Sequence, residues 1–117
     1  MLRSLNQAPA VDDAMALVCT LPTADRSGRR VDVQAVLQQA ISHRELADGV
    51  ALVFENTDVS ARLLLDLMLA ERNCCARFSY ALVFGAGHRP VELHVQAPEA
   101  LVKPLKDLYF GLLTVRT

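Results

Sequence analysis

The feature of the sequence that most constrains the fold is a leucine-rich segment that contains neither glycine nor proline. This segment reads "DVSARLLLDLMLAERNCC" and covers residues 58–75. Asn56, Thr57 or Asp58 can accept the N–H groups that the first turn of a helix leaves unpaired. The sequence therefore predicts one long helix of about five turns at the centre of the chain.

Three apolar segments around this helix predict β-strands. "VALVF" (50–54) follows an Asp-Gly turn, and its β-branched and aromatic residues favour a strand. "FSYALVF" (78–84) comes directly after the helix. In "VELHVQ" (91–96), apolar and polar residues alternate, which predicts a sheet with one buried face. The turn formers of "GAGHRP" (85–90) join the last two segments into a hairpin.

The N-terminal part of the chain predicts a loose arm, a strand and a helix. Residues 1–13 show no periodicity and are expected to be a flexible arm. The short apolar segment "MALVCTL" (15–21) carries Cys19 and is stopped by Pro22, as expected of a first strand. Apolar residues then recur at three- and four-residue spacing, which predicts a helix with one buried side. These residues are Val33, Val36, Leu37, Ala40 and Ile41.

A last helix is predicted near the C-terminus, and two prolines bear on where it starts. Pro98 suits the first turn of a helix, where its missing N–H is not needed. Pro104 would remove an interior hydrogen bond, so we expect that the helix either kinks there or begins near Lys103.

The order of these elements, β-α-β-α-β-β-α, predicts the fold class. Helices alternating with strands and followed by a hairpin indicate an α+β two-layer sandwich, with helices on one face of a mixed or antiparallel sheet. The length of 117 residues fits a single domain over residues 14–117.

Charge and hydropathy exclude several classes of partner. Twelve basic and thirteen acidic residues give a formal charge of -1 without a long run of either sign, which argues against binding to nucleic acid or an anionic membrane. No stretch is long and apolar enough for a membrane span or a secretion signal, so we expect the cytoplasm. In that compartment the three cysteines are expected to be reduced thiols.

The end of the central helix is the candidate functional site. Residues three and four apart meet on a helix, so Glu71 is expected beside Cys74 and Cys75. Two neighbouring thiols cannot complete a tetrahedral metal site alone, and Cys19 is the natural third sulfur. We therefore expect a non-catalytic domain whose cofactor, if any, is a thiophilic metal or metalloid ion bound by these four residues. A strained disulfide between Cys74 and Cys75 would instead be labile and could sense redox state.

Two alternative functions remain open from the residues. In one, the cysteines are core packing and the chain is a homodimeric interaction module. This interpretation rests on apolar residues that nearly encircle the central helix and on the apolar "LYFGLL" near the C-terminus. The helix residues are Leu63, Leu64, Leu65, Leu67, Met68 and Leu69. The other is a thiol-dependent oxidoreductase, which is disfavoured because a helix C-terminus and a neighbouring carboxylate both oppose a thiolate.

The segment "LMLAERNCCARFSYAL" resembles a motif of small uncharacterised bacterial proteins and some regulator-fused domains. In that family a helix ends in Glu, about two further residues and Cys-Cys-Pro-Phe, and a strand follows. "VCTL", "DGVALVF" and "VELHVQAPEAL" are similar to the family's layout, so the resemblance covers roughly residues 16–113. It implies functional roles at Cys19, Glu71, Cys74, Cys75 and Phe78, but no established activity. This chain departs from the pattern in having Ala76 in place of proline and Pro104 in the last helix.

Overall fold

A computed structural model describes residues 32–114, apart from the side chain of Cys74. The predicted arm over residues 1–13 and the predicted strand over residues 15–21, with Cys19, lie outside this range. The described elements are α1 (32–37), β1 (Ser42–Leu46), β2 (Gly49–Phe54), α2 (Asp58–Cys74), β3 (Ser79–Phe84), β4 (Val91–Gln96) and α3 (Glu99–Thr114).

The four described strands form one antiparallel sheet in the order β1-β2-β4-β3. Strands β2 and β3 both run antiparallel to β4, which lies between them, so they are parallel to each other and α2 connects them across the sheet. Contacts of α2 with β3 and of α3 with β2 show that these helices pack against the sheet. The α+β class predicted from the sequence is confirmed.

The core lies on the helix-covered face of the two central strands. Register pairs there join buried residues: Val50 with Val95, Leu52 with Leu93, and Phe54 with Val91. In "VELHVQ", the apolar residues at every second position are buried, because successive side chains of a strand point to opposite faces of the sheet. Strand alternation therefore decides which face of the sheet receives α2 and α3.

Strand β1 is absent from the sequence prediction. Its residues "SHREL" are mostly exposed and show no apolar alternation, so periodicity has no signal to detect. The preceding helix is also shorter than predicted: it ends at residue 37, and Ile41 donates a backbone hydrogen bond to Val53 (2.8 Å). The backbone of Ile41 therefore bonds to strand β2 and is not part of the helix.

The sequence explains where helix α2 begins and which of its sides is buried. Thr57 caps it, because its Oγ1 accepts a hydrogen bond from the backbone N–H of Ser60 at 3.0 Å. Asp58 places a negative charge in the first turn, where the helix dipole favours it. The buried side of the helix carries Leu64, Leu67 and, near its end, Glu71.

Helix α3 starts at Glu99 and passes through Pro104, so the alternative start near Lys103 is wrong. Pro104 is the sixth residue of the helix, and the bond it removes is the one to the carbonyl of Ala100. The turns after Pro104 are buried, and this burial stabilises the helical conformation beyond the proline. Its buried residues are Leu101, Leu105, Leu108, Tyr109, Gly111 and Leu112. None of the described helices is long and apolar enough to cross a membrane.

Candidate thiol site at the end of helix α2

The candidate site lies where α2 gives way to the turn into β3. The backbone N–H of Cys75 donates to the carbonyl of Glu71 at 2.6 Å, which closes the last helical turn. The backbone of Cys75 itself (φ -118°, ψ 67°) has left the helical conformation. Cys75 is therefore fixed by the helix on one side and begins the turn on the other.

Two hydrogen bonds to the carbonyl of Cys75 hold this turn together. The backbone N–H of Phe78 donates to it at 3.1 Å, and the Tyr80 hydroxyl donates to it at 3.3 Å. The rings of Phe78 and Tyr80 lie 6.5 Å apart in a tilted arrangement, and Phe78 is buried. The turn is thus built from backbone bonds and an aromatic pair, without the proline of the similar motif.

A buried carboxylate and a buried thiol meet at this point. Cys75 Sγ lies 3.9 Å from Glu71 Oε1, in the i, i+4 relation that the sequence predicts. The two residues are 2% and 3% exposed, respectively. Among the described residues, Glu71 is the only charged side chain that is buried. The site therefore combines a soft and a hard ligand atom in a place that is largely closed to solvent.

A carboxylate in this buried position requires partners. Removing an ionised carboxylate from water is strongly unfavourable, and such groups in proteins are paired or bind metal ions. The C-terminal end of a helix adds a partial negative charge that opposes a further anion. Cations are therefore the ligands that this end of α2 favours.

The structure brings together only part of the predicted ligand set. Glu71 and Cys75 lie side by side, and Cys74 is the last residue of α2. The side chain of Cys74 and the whole of Cys19 lie outside the described part of the chain. Among the side chains that the structure describes, which exclude that of Cys74, no three of His, Cys, Asp or Glu are grouped closely enough to hold a metal ion.

A second polar cluster, on the opposite face of the sheet, was not predicted. Arg44 contacts both carboxylate oxygens of Glu92, at 3.0 and 2.9 Å, and His94 Nε2 lies 2.8 Å from Glu92 Oε1. The hydrogen bonds from Arg44 and His94 lower the pKa of Glu92 to about 2. The alternation in β4 indicated that Glu92 and His94 share a face, but Arg44 could be placed only once β1 was known.

Comparisons of the chain with models of protein families, with curated proteins and with solved structures give no match.

Proposed function

We propose that this chain is a non-catalytic binding domain whose site is the Glu71–Cys75 pair, and that the pair binds a thiophilic metal or metalloid ion together with Cys74 and Cys19. The observation that carries the proposal is a buried carboxylate in contact with a buried thiol. Thiolate sulfur and carboxylate oxygen are both ligand atoms for zinc and similar ions.

The spacing of the two ligand atoms supports this proposal. A tetrahedral ion held by sulfur at about 2.3 Å and by oxygen at about 2.0 Å separates those two atoms by roughly 3.5 Å. The distance between Cys75 Sγ and Glu71 Oε1 is 3.9 Å, which is only slightly longer. A small side-chain movement would therefore bring both atoms to ligand distance.

Further ligands are needed, and cysteines are the residues best suited to supply them. Two ligand atoms leave a tetrahedral ion half coordinated. Cys74 is adjacent to Cys75 in sequence, and the similar bacterial motif implies a role for Cys19. A set of up to three thiolates and one carboxylate selects soft or borderline ions over magnesium or calcium.

Titration of the reduced protein with cadmium(II) tests the proposal, because thiolate ligation produces an ultraviolet charge-transfer band. We expect a saturable band with one ion bound per chain. Loss of an outer-shell partner alone lowers metal affinity about 10- to 100-fold, so Glu71→Gln, which removes a direct ligand, is expected to lower it by at least about 10-fold. Loss of a thiolate ligand removes a direct bond, so Cys75→Ser is expected to lower affinity by more than about 100-fold.

A matched control is available on the other face of the sheet. Glu92→Gln makes the same chemical change as Glu71→Gln but lies outside the site, so it should leave cadmium affinity unchanged. Undiminished binding by a Cys74→Ser, Cys75→Ser double variant would contradict the proposal.

The second candidate function is a homodimeric interaction module with cysteines as packing. It is favoured by one observation: Cys75 is 2% exposed and belongs to the apolar core cluster. Reaction of the native, metal-free protein with a disulfide reagent such as DTNB separates the two candidates. Packing predicts that Cys75 reacts only on unfolding, whether or not cadmium(II) is present. A metal site predicts slow reaction of the thiols without the ion and further protection with it.

A further inference from the structure

One side of α2 faces solvent along its whole length and carries apolar residues. Burial on this helix is confined to the side of Leu64, Leu67 and Glu71. On the other side, Val59, Leu65 and Leu69 are 75%, 47% and 42% exposed. Within the described chain, the leucines that nearly encircle α2 are therefore buried on one side only. The exposed positions are Asp58, Val59, Arg62, Leu65, Asp66, Leu69, Arg72 and Asn73.

This exposed side continues into a groove against β3, the outermost of the described strands on that side of the sheet. The groove has a volume of about 410 Å³, and Phe84 at its end is 54% exposed. Its lining combines apolar side chains with one acid and one base from α2. The lining residues are Asp58, Ala61, Arg62, Leu65, Leu82 and Phe84. Exposed apolar surface rimmed by charge is typical of a protein–protein contact.

The charges at the two ends of the exposed side of α2, Asp58 and Arg72, are opposite in sign. Asp58, Arg62, Leu65, Leu69 and Arg72 follow one another at spacings of four, three, four and three residues, which is the repeat of a helix–helix seam. Reversal of the seam about Leu65 places Asp58 opposite Arg72, with Leu65 opposite itself. A second α2 in antiparallel orientation would therefore meet opposite charges at both ends and leucine in the middle.

We propose that the partner at this surface is a second copy of the chain, docked with its α2 antiparallel to the first on a two-fold axis near Leu65. A two-fold contact uses the same patch on both subunits, as the seam requires. Leu65 and Leu69 of each copy would enter the groove beside Phe84 of the other. The seam lies on the side of α2 away from Glu71, so this proposal does not depend on the thiol site.

Sedimentation velocity across micromolar to millimolar protein concentrations tests the association. We expect a concentration-dependent species with twice the chain mass of 12.8 kDa. Leu65→Arg places two like charges on the axis and is expected to give the chain mass at all these concentrations. Leu65 is 47% exposed, so circular dichroism should show that the variant keeps its fold. A wild-type protein that sediments at the chain mass throughout the range would overturn the proposal.

Charge reversal at the ends of the seam tests the orientation. Asp58→Arg and Arg72→Asp each create two like-charge contacts in a symmetric dimer, so each variant alone should dimerise more weakly than wild type. A mixture of the two variants creates two attractive contacts, and we expect a heterodimer. The double variant Asp58→Arg, Arg72→Asp should restore the homodimer.

The control for this experiment is Arg77→Asp, which reverses an exposed charge beyond the end of the seam and should leave dimerisation unchanged. If Asp58→Arg and Arg72→Asp each dimerise as strongly as wild type, the antiparallel α2 contact is overturned. Pairing of β3 strands between two copies would give this result. A mixture that dimerises no better than either variant alone would overturn it as well.

Discussion

Glu71 and Glu92 are two carboxylates that the same fold places in opposite environments. Glu71 is 3% exposed, sits on the buried side of α2 and contacts the thiol of Cys75. Glu92 lies on the polar face of β4, where Arg44 and His94 bind it and its side chain remains 26% exposed. The first carboxylate lies beside a thiol at the buried end of α2, whereas the second belongs to an ion pair across the sheet.

The difference shows how to separate a structural charge from a candidate functional one. Glu92 gains stability from a bidentate arginine at a solvated position, where a carboxylate costs little. Glu71 lies at a buried position, where a carboxylate is costly unless it is paired or hydrogen-bonded. A buried carboxylate in contact with a thiol is a better candidate for ligand binding than a partly solvated carboxylate in an ion pair.

Reversing the charge at the buried position should have the largest effect. Glu71→Lys places an ammonium group among buried apolar residues beside Cys75, so we expect a loss of about 3–5 kcal/mol in the free energy of unfolding. Urea denaturation followed by circular dichroism measures this loss. Asn73→Lys introduces the same residue at an exposed position of the same turn and should change stability by no more than about 0.5 kcal/mol. Equal losses in the two variants would contradict the assignment of Glu71 to the core.

The thiol beside Glu71 is expected to show an intermediate effect in the metal-free protein. Cys75→Ser replaces a buried sulfur with a hydroxyl of greater hydrogen-bonding demand, at a cost of about 1–3 kcal/mol. Cys75→Ala adds no polar group and should cost less than Cys75→Ser. The same urea denaturation gives both values. A serine variant as stable as wild type would show that the side chain of Cys75 is not excluded from solvent.

The exposed carboxylate should have the smallest effect, and it should depend on pH. The pKa of Glu92 falls from 4.5 to about 2 on folding, so its stabilising contribution is fully present above pH 4.5 and is lost as the pH falls through 2. Wild type should exceed Glu92→Gln by no more than about 1 kcal/mol at neutral pH, because the pair is partly solvated. Thermal unfolding of both proteins from pH 7 to pH 2 should show this gap closing below pH 4.5; a constant gap would contradict the ion pair.

The sequence predicts those parts of the fold that periodicity controls. The apolar alternation of "VELHVQ" and the long leucine-rich segment lead directly to β4 and α2, and the i, i+4 spacing brings Glu71 to Cys75. Each of these relations is local, so the chain encodes it within a few residues.

The features that the sequence did not predict depend on contacts between distant parts of the chain. Strand β1 is held by pairing with β2 and by two long-range ion pairs, Arg44 with Glu92 and Glu45 with Lys106. Its exposed residues carry no periodic signal of their own. The same limit applied to the thiol site: local spacing joins Glu71 to Cys75, but no local rule places Cys19 beside them.

X-ray absorption at the metal edge of the zinc-loaded protein reports the atoms bound to the ion and so tests whether Glu71 and the cysteines are its ligands. We expect a sulfur-rich shell at about 2.3 Å with one lighter ligand at about 2.0 Å, and the loss of that lighter ligand or of the ion itself in Glu71→Gln. A shell of nitrogen and oxygen alone, or a protein that retains no zinc after dialysis, would contradict the proposal.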